Sequence, residues 1–451
     1  MNQAGMTVGV VSLGCPKNRV DTEVMLGLLI KAGYTVSGDP EDADIIIVNT
    51  CGFIEDAKQE SIDTILEMAA YKQNGRCSRL LVTGCLSERY ADELSRELPE
   101  VDGFIGVNAY ADIVPVLETM QKGRVTGWAT QPCTLPMNER VLSTPGYTAY
   151  VKIAEGCDNR CSYCAIPSIR GRFRSRAPED IIEECAALAA RGTREITLIA
   201  QDTTRYGEDL AEKPLLPELL AALNDISALH WIRVLYCYPE RITEQLLETI
   251  TGLPKVCNYL DIPIQHIDAE ILKKMNRRST PEQIRSLLSR IRRMDAGFAL
   301  RTSLIAGFPG ETEEQFNRLC DFIQEYPFDH LGAFAFSPED GTVAAKLPGA
   351  VPKRIREKRR DRLMEIQAAV AQMLNQERIG RVYEAVAEGY DQESGLYFGR
   401  TYAQAPEIDS NVFWHDDREL APGSFVRIRI TASEGYDWMG ETADEPGLSP
   451  E

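Results

Sequence analysis

Apolar and polar positions along this chain fall into three stretches with different periods. Residues 1–130 repeat one pattern three times: a run of β-branched residues, a cysteine that closes it, then a helix-like segment. TVGVVSLGC ends at Cys15, DIIIVNTC at Cys51 and RLLVTGC at Cys85. Such runs, bounded by Gly, Asn and Thr, read as buried parallel strands, and the segments between them are long enough for crossover helices. In an open α/β sheet the carboxyl ends of the strands line one edge, where ligands sit. Three cysteines far apart in sequence are therefore predicted to converge. Residues 131–146, QPCTLPMNERVLSTPG, are rich in Pro and polar residues and read as a linker.

From 147 to 378 the strand candidates are AYVKIAEG, EITLIAQD, IRVLYCYP, YLDIPIQH, LRTSLIAGFP and HLGAFAFSP, separated by amphipathic stretches such as PEDIIEECAALAARG. Six βα units predict a parallel sheet curled into a partial barrel rather than the closed eight. Residues 379–451 alternate short β-type runs (RVYEAVAEGY, LYFGRTY, SFVRIRIT) with turn residues, the pattern of a small β-barrel. The expected fold class is α/β in three domains: an open parallel sheet at 1–130, a partial (β/α)6 barrel at 147–378 and a small β-barrel at 379–451.

A chain of 451 residues is long enough for several cores. No run of about 20 apolar residues occurs, so no membrane span is expected. The N-terminus lacks the basic n-region of a secretory signal, which points to the cytoplasm. Twelve cysteines in such a chain argue against a disulfide framework and leave metal or catalytic use for the clustered ones. Formal charge is 49 minus 68, or −19, which opposes polyanions and disfavours a nucleic-acid substrate. VPKRIREKRRDRL, residues 351–363, carries seven Lys or Arg; it reads as a solvated helix face, with a phosphate patch as the alternative. The segment 379–451 has 5 Arg, no Lys and 15 Asp or Glu, hence −10. That charge suits a basic partner, or serves solubility.

Chemistry concentrates in EGCDNRCSYCAIPSIRG, residues 155–171. Cys157, Cys161 and Cys164 follow the first barrel strand directly, on the rim where such barrels carry their active sites. Iron-sulfur clusters normally take four thiolates, so a cubane held by three leaves one iron open to a small molecule. A catalytic zinc also takes three protein ligands. The four His, at 230, 266, 330 and 415, lie outside the loop, which favours the cluster. Cys15, Cys51 and Cys85 form a second set of three. Cys77, Cys133, Cys185, Cys237, Cys257 and Cys320 stand singly and read as small buried hydrophobes.

The C-x-x-x-C-x-x-C spacing after a first barrel strand resembles that of the radical S-adenosylmethionine (SAM) enzymes. With three further cysteines at strand ends, the whole chain is similar to the methylthiotransferases, which combine an N-terminal cluster domain, a radical SAM barrel and a C-terminal TRAM domain. VSLGCPKN, VNTCGFI, VTGCL, LDIPIQH, AGFPGETEE and QAPEID are similar to the branch that modifies a ribosomal protein; the branch that modifies tRNA adenosine typically has a different phrase around the first cysteine and a basic TRAM domain. Ser410 and Cys237 depart from the pattern.

The resemblance implies two 4Fe-4S clusters. The one on Cys157, Cys161 and Cys164 would bind SAM and yield a 5′-deoxyadenosyl radical. The one on Cys15, Cys51 and Cys85 would hold an exogenous sulfide that a second SAM, as methyl donor, would methylate. The radical would abstract hydrogen from the β-carbon of an aspartate in ribosomal protein uS12. Implied partners are that protein or the small ribosomal subunit, a reductant such as flavodoxin or ferredoxin, and a sulfide donor. Among SAM contacts, Tyr163 is expected against adenine, Gln201 and Asp202 on the methionyl group, Arg301 on its carboxylate and Gly307 at a close backbone approach. No catalytic residue beyond the cysteines is expected. The alternatives are a tRNA adenosine methylthiotransferase and, more remotely, a non-enzymatic iron-sulfur electron-transfer or ribosome-binding protein.

Overall fold

A computed structural model describes residues 5–126, 139–295 and 297–443. Residues 131–138 of the expected linker, Cys133 among them, and residues 444–451 of the expected C-terminal barrel lie outside the described residues.

The first sheet has six parallel strands in the order Thr35–Ser37, Thr7–Ser12, Ile45–Thr50, Arg79–Gly84, Gly103–Phe104, Val125–Thr126. Its central strand Ile45–Thr50 is buried at every position, because helices cover both faces of a parallel sheet. Ile46, Val48, Leu80 and Val82 pack against Ile65 and Met68 of the helix Glu55–Asn74. On the opposite face Ile45, Ile47 and Leu81 meet Val20, Val24 and Leu29 of the helix Pro16–Lys31.

All six predicted barrel strands are present and parallel. Thr148–Lys152, Glu195–Ile199 and Trp231–Val234 form one ladder, and Tyr259–Asp261, Ala299–Ala306 and His330–Ala335 a second. A bridge from Ile232 to Val256 and the hydrogen bond from Cys237 N to Asp261 O at 2.8 Å join the two ladders, while among the described residues no pairing links the first strand to the sixth, so the barrel stays partial. Capping boxes at Thr280/Gln283 and Thr312/Gln315 start two of the outer helices by satisfying their orphan N–H groups.

The basic run opens the helix Lys353–Gln376. Arg359 is buried there, its guanidinium on Glu311 and Glu313, and Arg356 bonds the carbonyl of Phe336. Lys353, Arg354, Lys358 and Arg362 are exposed. Two of the seven cations thus fasten the helix, and the exposed ones form the solvated face.

The last sheet is a closed five-stranded barrel in the order Val382–Asp391, Leu396–Thr401, Val412–His415, Asp437–Thr442, Phe425–Glu434, with Trp414 fully buried inside. Arg400 fixes it to the larger barrel: Nη2 lies 2.7 Å from Glu195 and 2.8 Å from Glu388, all but Glu388 buried. Arg233 closes the cluster, with Nε 3.1 Å from Glu195. One apolar core runs from the first sheet through both barrel ladders to the closed barrel, from Val8 and Val20 through Tyr150, Trp231 and Tyr259 to Val386 and Trp414. Among the described residues no helix is long and apolar enough to cross a membrane.

Removing one partner of a buried ion pair strands the other. Arg400→Ala is therefore expected to lower the unfolding free energy by about 3 kcal/mol or more, measured by urea titration; a change below about 1 kcal/mol would mean that the pair does not anchor the domain.

A candidate active site between two cysteine triads

Strand ends place Cys15, Cys51 and Cys85 near one another on the same edge of the first sheet. Cys15 is the N-cap of the helix Pro16–Lys31, Cys51 follows the strand Ile45–Thr50, and Cys85 opens the helix Cys85–Glu97. Adjacent glycines permit the approach. At Gly14, φ +87°, a Cβ would lie 2.8 Å from Cys51 Cβ, and at Gly52 one would lie 2.6 Å from Leu86 Cα. Asn18 Nδ2 donates to the carbonyls of Leu13 and Thr50 at 3.1 and 2.9 Å, and Asn49 Nδ2 to that of Asn18 at 2.8 Å, which locks the three turns to one another. Burial pushes the Cys85 thiol up to about 12, opposed by Arg170 and reinforced by Cys15 and Cys51. The three thiols are close enough for each charge to act on the next.

The second triad sits in the loop after Ala154–Glu155. Cys157 N donates to Gly171 O at 3.1 Å, Cys164 N to Cys161 O at 3.1 Å, and Asn159 N to the Cys157 sulfur at 3.5 Å. Cys161 Sγ lies 3.6 Å from the Tyr238 hydroxyl and 4.0 Å from Arg277 Nη1, and the Arg277 guanidinium stacks on Tyr238 at 4.3 Å. Burial raises Cys157 to about 11 and Cys164 to about 12. Protonated buried thiols must lose protons when a metal binds, and donors aimed at sulfur favour that charged state.

Between the triads lies a buried charge network centred on Arg170 of IPSIRG. Its Nη1 is 2.9 Å from Glu155 Oε2; its Nη2 is 2.5 Å from Asn18 Oδ1, 3.0 Å from Asp21 Oδ2 and 3.8 Å from the Cys85 sulfur. Lys152 pairs with both Asp21 and Glu155, so two cations face two carboxylates. Cys85 packs on Ala165 and Ile169, which directly follow the second triad. Lys17, buried, rests on the Tyr236 ring at 3.2 Å, and burial lowers its ammonium.

The residues expected at SAM have varied surroundings. Gln201 Nε2 donates to Glu155 Oε1 at 2.9 Å, while its Oε1 is buried without a hydrogen-bond partner. Asp202 accepts from Asn159 Nδ2 at 2.8 Å and Thr204 Oγ1 at 2.6 Å. Tyr163 packs on the buried cluster of Met275, Phe308 and Phe336. Arg301 is held by Asp261 at 2.9 Å and by Asp409 of QAPEID at 3.4 Å. Gly307, φ +75°, faces the helix Lys353–Gln376, where a Cβ would lie 2.3 Å from Arg356 Cγ. Arg170, Glu155, Asn18, Lys17 and Arg277 were missed as site residues. The available signal was that Asn18, Lys17 and Arg170 lie inside the cysteine phrases CPKN and CAIPSIRG.

Among the described residues, no three His, Cys, Asp or Glu close around a point at single-ion spacing. His266 lies in its own loop, accepting at Nδ1 from Asp268 N at 2.9 Å, and His330 Nε2 contacts Ala403 O at 2.7 Å. Each donor set is three thiols, one short of the four a cluster normally takes, which fits a polynuclear cluster with one open position.

Family models match in the same order: "Uncharacterized protein family UPF0004" at residues 7–106, the radical SAM superfamily at 151–323 and the TRAM domain at 379–442. The chain is 51% identical over 446 residues to the ribosomal protein uS12 methylthiotransferase RimO of Geobacter sulfurreducens, covering 98% of this chain and 99% of that one. To the RimO of Acetivibrio thermocellus it is 48% identical over 447 residues, covering 97% and 98%. The chain belongs to the RimO family of methylthiotransferases. Its expected class, a radical SAM enzyme with a mixed α/β fold and a TRAM barrel, is thereby borne out. The radical SAM methyltransferase TsrM of Kitasatospora setae shares the fold at a TM-score of 0.57 and 15% identity, covering 76% of this chain and 74% of that one.

Two outcomes test the RimO-family site. Arg170→Ala leaves Asp21 and Glu155 to share Lys152 alone, and a loss of about 3 kcal/mol is expected in urea unfolding. Arg170→Lys is expected to recover less than half of it, since one ammonium cannot span both carboxylates; wild-type stability in the alanine variant would sink this account. The second outcome concerns His266 in LDIPIQH, whose ordinary 6.5 burial lowers to about 3. The unfolded chain takes up the proton first as pH falls, so the stability contributed is full above 6.5 and is lost toward 3. Between pH 7 and 4 the cluster-free His266→Gln protein is expected to lose about 3 kcal/mol less than the parent, and parallel pH profiles would refute this.

Proposed function

We propose that this chain inserts a methylthio group at the β-carbon of an aspartate in ribosomal protein uS12, the protein named for its relatives. The observation that carries the reading is the pair of three-thiol sets, each one ligand short, at the two ends of one buried charge network. Cys157, Cys161 and Cys164 would hold a 4Fe-4S cluster, which would supply one electron to bound SAM, and Cys15, Cys51 and Cys85 would hold a second, whose unligated iron would be open to an exogenous sulfide.

The remaining roles fall to side chains. Arg170 holds the two triads at a fixed separation and lends its charge to the Cys85 sulfur. Gln201 offers its unpartnered Oε1 to the methionyl amine of SAM. Asp202 keeps Asn159 directed along the cysteine loop, where that residue's N–H meets Cys157. Arg301 supports the methionyl carboxylate while Asp261 and Asp409 hold its guanidinium, Tyr163 braces the loop beneath adenine, and Gly307 leaves room for Arg356 to pack behind the rim. The −10 of residues 379–451 attracts a basic ribosomal protein and opposes the phosphates of tRNA. The working compartment is the cytoplasm, with a flavodoxin or ferredoxin as reductant and a separate sulfide donor.

The reconstituted enzyme is expected to add a methylthio group to a peptide spanning the uS12 target loop and to leave unmodified tRNA unchanged, as read by mass spectrometry of both after one reaction. In the triple variant with Ala at 157, 161 and 164, about half the iron is expected to remain while 5′-deoxyadenosine formation stops. Modified adenosine beside an unchanged peptide, or a triple variant free of iron, would overturn the substrate or the two-cluster reading respectively.

A further inference from the structure

A cavity of about 360 Å³ opens beside the second triad, lined by Arg160, Arg172, Arg205, Arg241, Arg278 and Asp158. Asp158 and Arg160 belong to the cysteine loop itself, between Cys157 and Cys161. Five guanidinium groups around one recess run against a chain whose net charge is −19. The local acids do not balance them. Arg205 is 3.6 Å from Asp158 and 3.0 Å from Glu208, Arg241 pairs with Glu208 and lies 3.6 Å from buried Asp202, and Arg172, with 89% of its side chain exposed, is 3.7 Å from Asp158. Among the described residues Arg160 and Arg278 have no ion-pair partner, and both are exposed.

We propose that this recess docks the acidic face of a one-electron carrier protein that reduces the group held at Cys157, Cys161 and Cys164. The proposal rests on the radical SAM reading above and adds a surface and a partner chemistry to it. Cys157 and Cys161 are each only 7% exposed and Cys164 is half-buried, so the route for an electron runs through the protein shell over that loop, and the recess lies in that shell. Its wall leads inward through few side chains: Arg278 follows Arg277, whose Nη1 is 4.0 Å from the Cys161 sulfur and whose guanidinium stacks on Tyr238. Charge also separates the partners. A basic substrate protein is repelled here and drawn to the acidic C-terminal barrel, while an acidic carrier is repelled by that barrel and steered to the arginines. In the step itself one electron leaves the carrier, which is oxidised by one, and arrives at the thiolate-held group, which is reduced by one; no bond forms and no proton moves.

The test uses the enzyme with both clusters reconstituted and a bacterial flavodoxin as probe. The variant is Arg160→Glu with Arg172→Glu and Arg278→Glu, which spares Arg205 and Arg241 and their carboxylate contacts. Flavodoxin Kd is expected to rise at least about tenfold, and to weaken with salt in the parent far more than in the variant. Reduction by flavodoxin hydroquinone, followed by electron paramagnetic resonance, is expected to slow alike, while dithionite reduces parent and variant equally and gives the same 5′-deoxyadenosine yield. An unchanged Kd and flavodoxin rate overturn the proposal. So does a variant that keeps flavodoxin but loses a short RNA hairpin bound by the parent, which would make the recess a phosphate surface. If dithionite yields no 5′-deoxyadenosine even in the parent, the radical SAM reading fails, and the Kd comparison still decides the docking.

Discussion

The buried guanidinium of Arg170 is the constraint on which the site depends. A cation in that position is tolerable only if every face of it is answered, and the answers come from two separate domains: Asn18 and Asp21 from the helix Pro16–Lys31 of the first, Glu155 from the short strand that follows the first barrel strand. Neither domain alone offers a full set of partners. Assembly of the two is therefore tied to the correct spacing of the cysteine triads, because Arg170 contacts the Cys85 sulfur at one end and a carboxylate two residues before Cys157 at the other. A buried network of this kind adds little net stability over apolar packing but is costly to break, which makes it a device for geometry.

A similar arrangement seats the C-terminal barrel. Arg400, Arg233 and Glu195 lie in the seam, and QAPEID carries its own contacts into the larger barrel. There Asp409 accepts from the Tyr259 hydroxyl at 2.7 Å, and Pro406 O accepts from the Tyr150 hydroxyl at 3.0 Å. Arg19 of the first helix reaches Glu407 of the same phrase at 2.5 Å. All three units thus meet along one seam, and the continuous apolar core beneath it gives the buried contacts among these, though not the exposed Arg19–Glu407 pair, a dry, low-dielectric setting in which each is stronger.

Periodicity alone revealed the long elements. The six barrel strands and three strand-cysteine units stand out because β-branched runs closed by Gly, Asn or Thr have few other readings. Thr35–Ser37, Gly103–Phe104 and Val125–Thr126 escaped it, since two or three residues carry no period. Charge was legible in amount but not in direction. The run 351–363 has the composition of a solvated face, yet Arg359 turns inward to Glu311. Conversely, Arg160, Arg172, Arg205, Arg241 and Arg278 are scattered through the sequence and form one recess only after the loops are placed.

By itself the sequence determined the three-part architecture, a cysteine at each of three strand ends and three more in one short loop, because strand periodicity and the spacing within that loop are local and each is written in a handful of consecutive residues. Only the tertiary structure decided that the sets face one another through Arg170, that Arg301 is held by two carboxylates, and that Gly307 is required by the approach of Arg356. Those facts depend on residues a hundred or more positions apart, Asn18 with Arg170 and Arg301 with Asp409 among them. A buried charge takes its partners from whatever the fold brings within hydrogen-bond reach, and no local pattern encodes that choice.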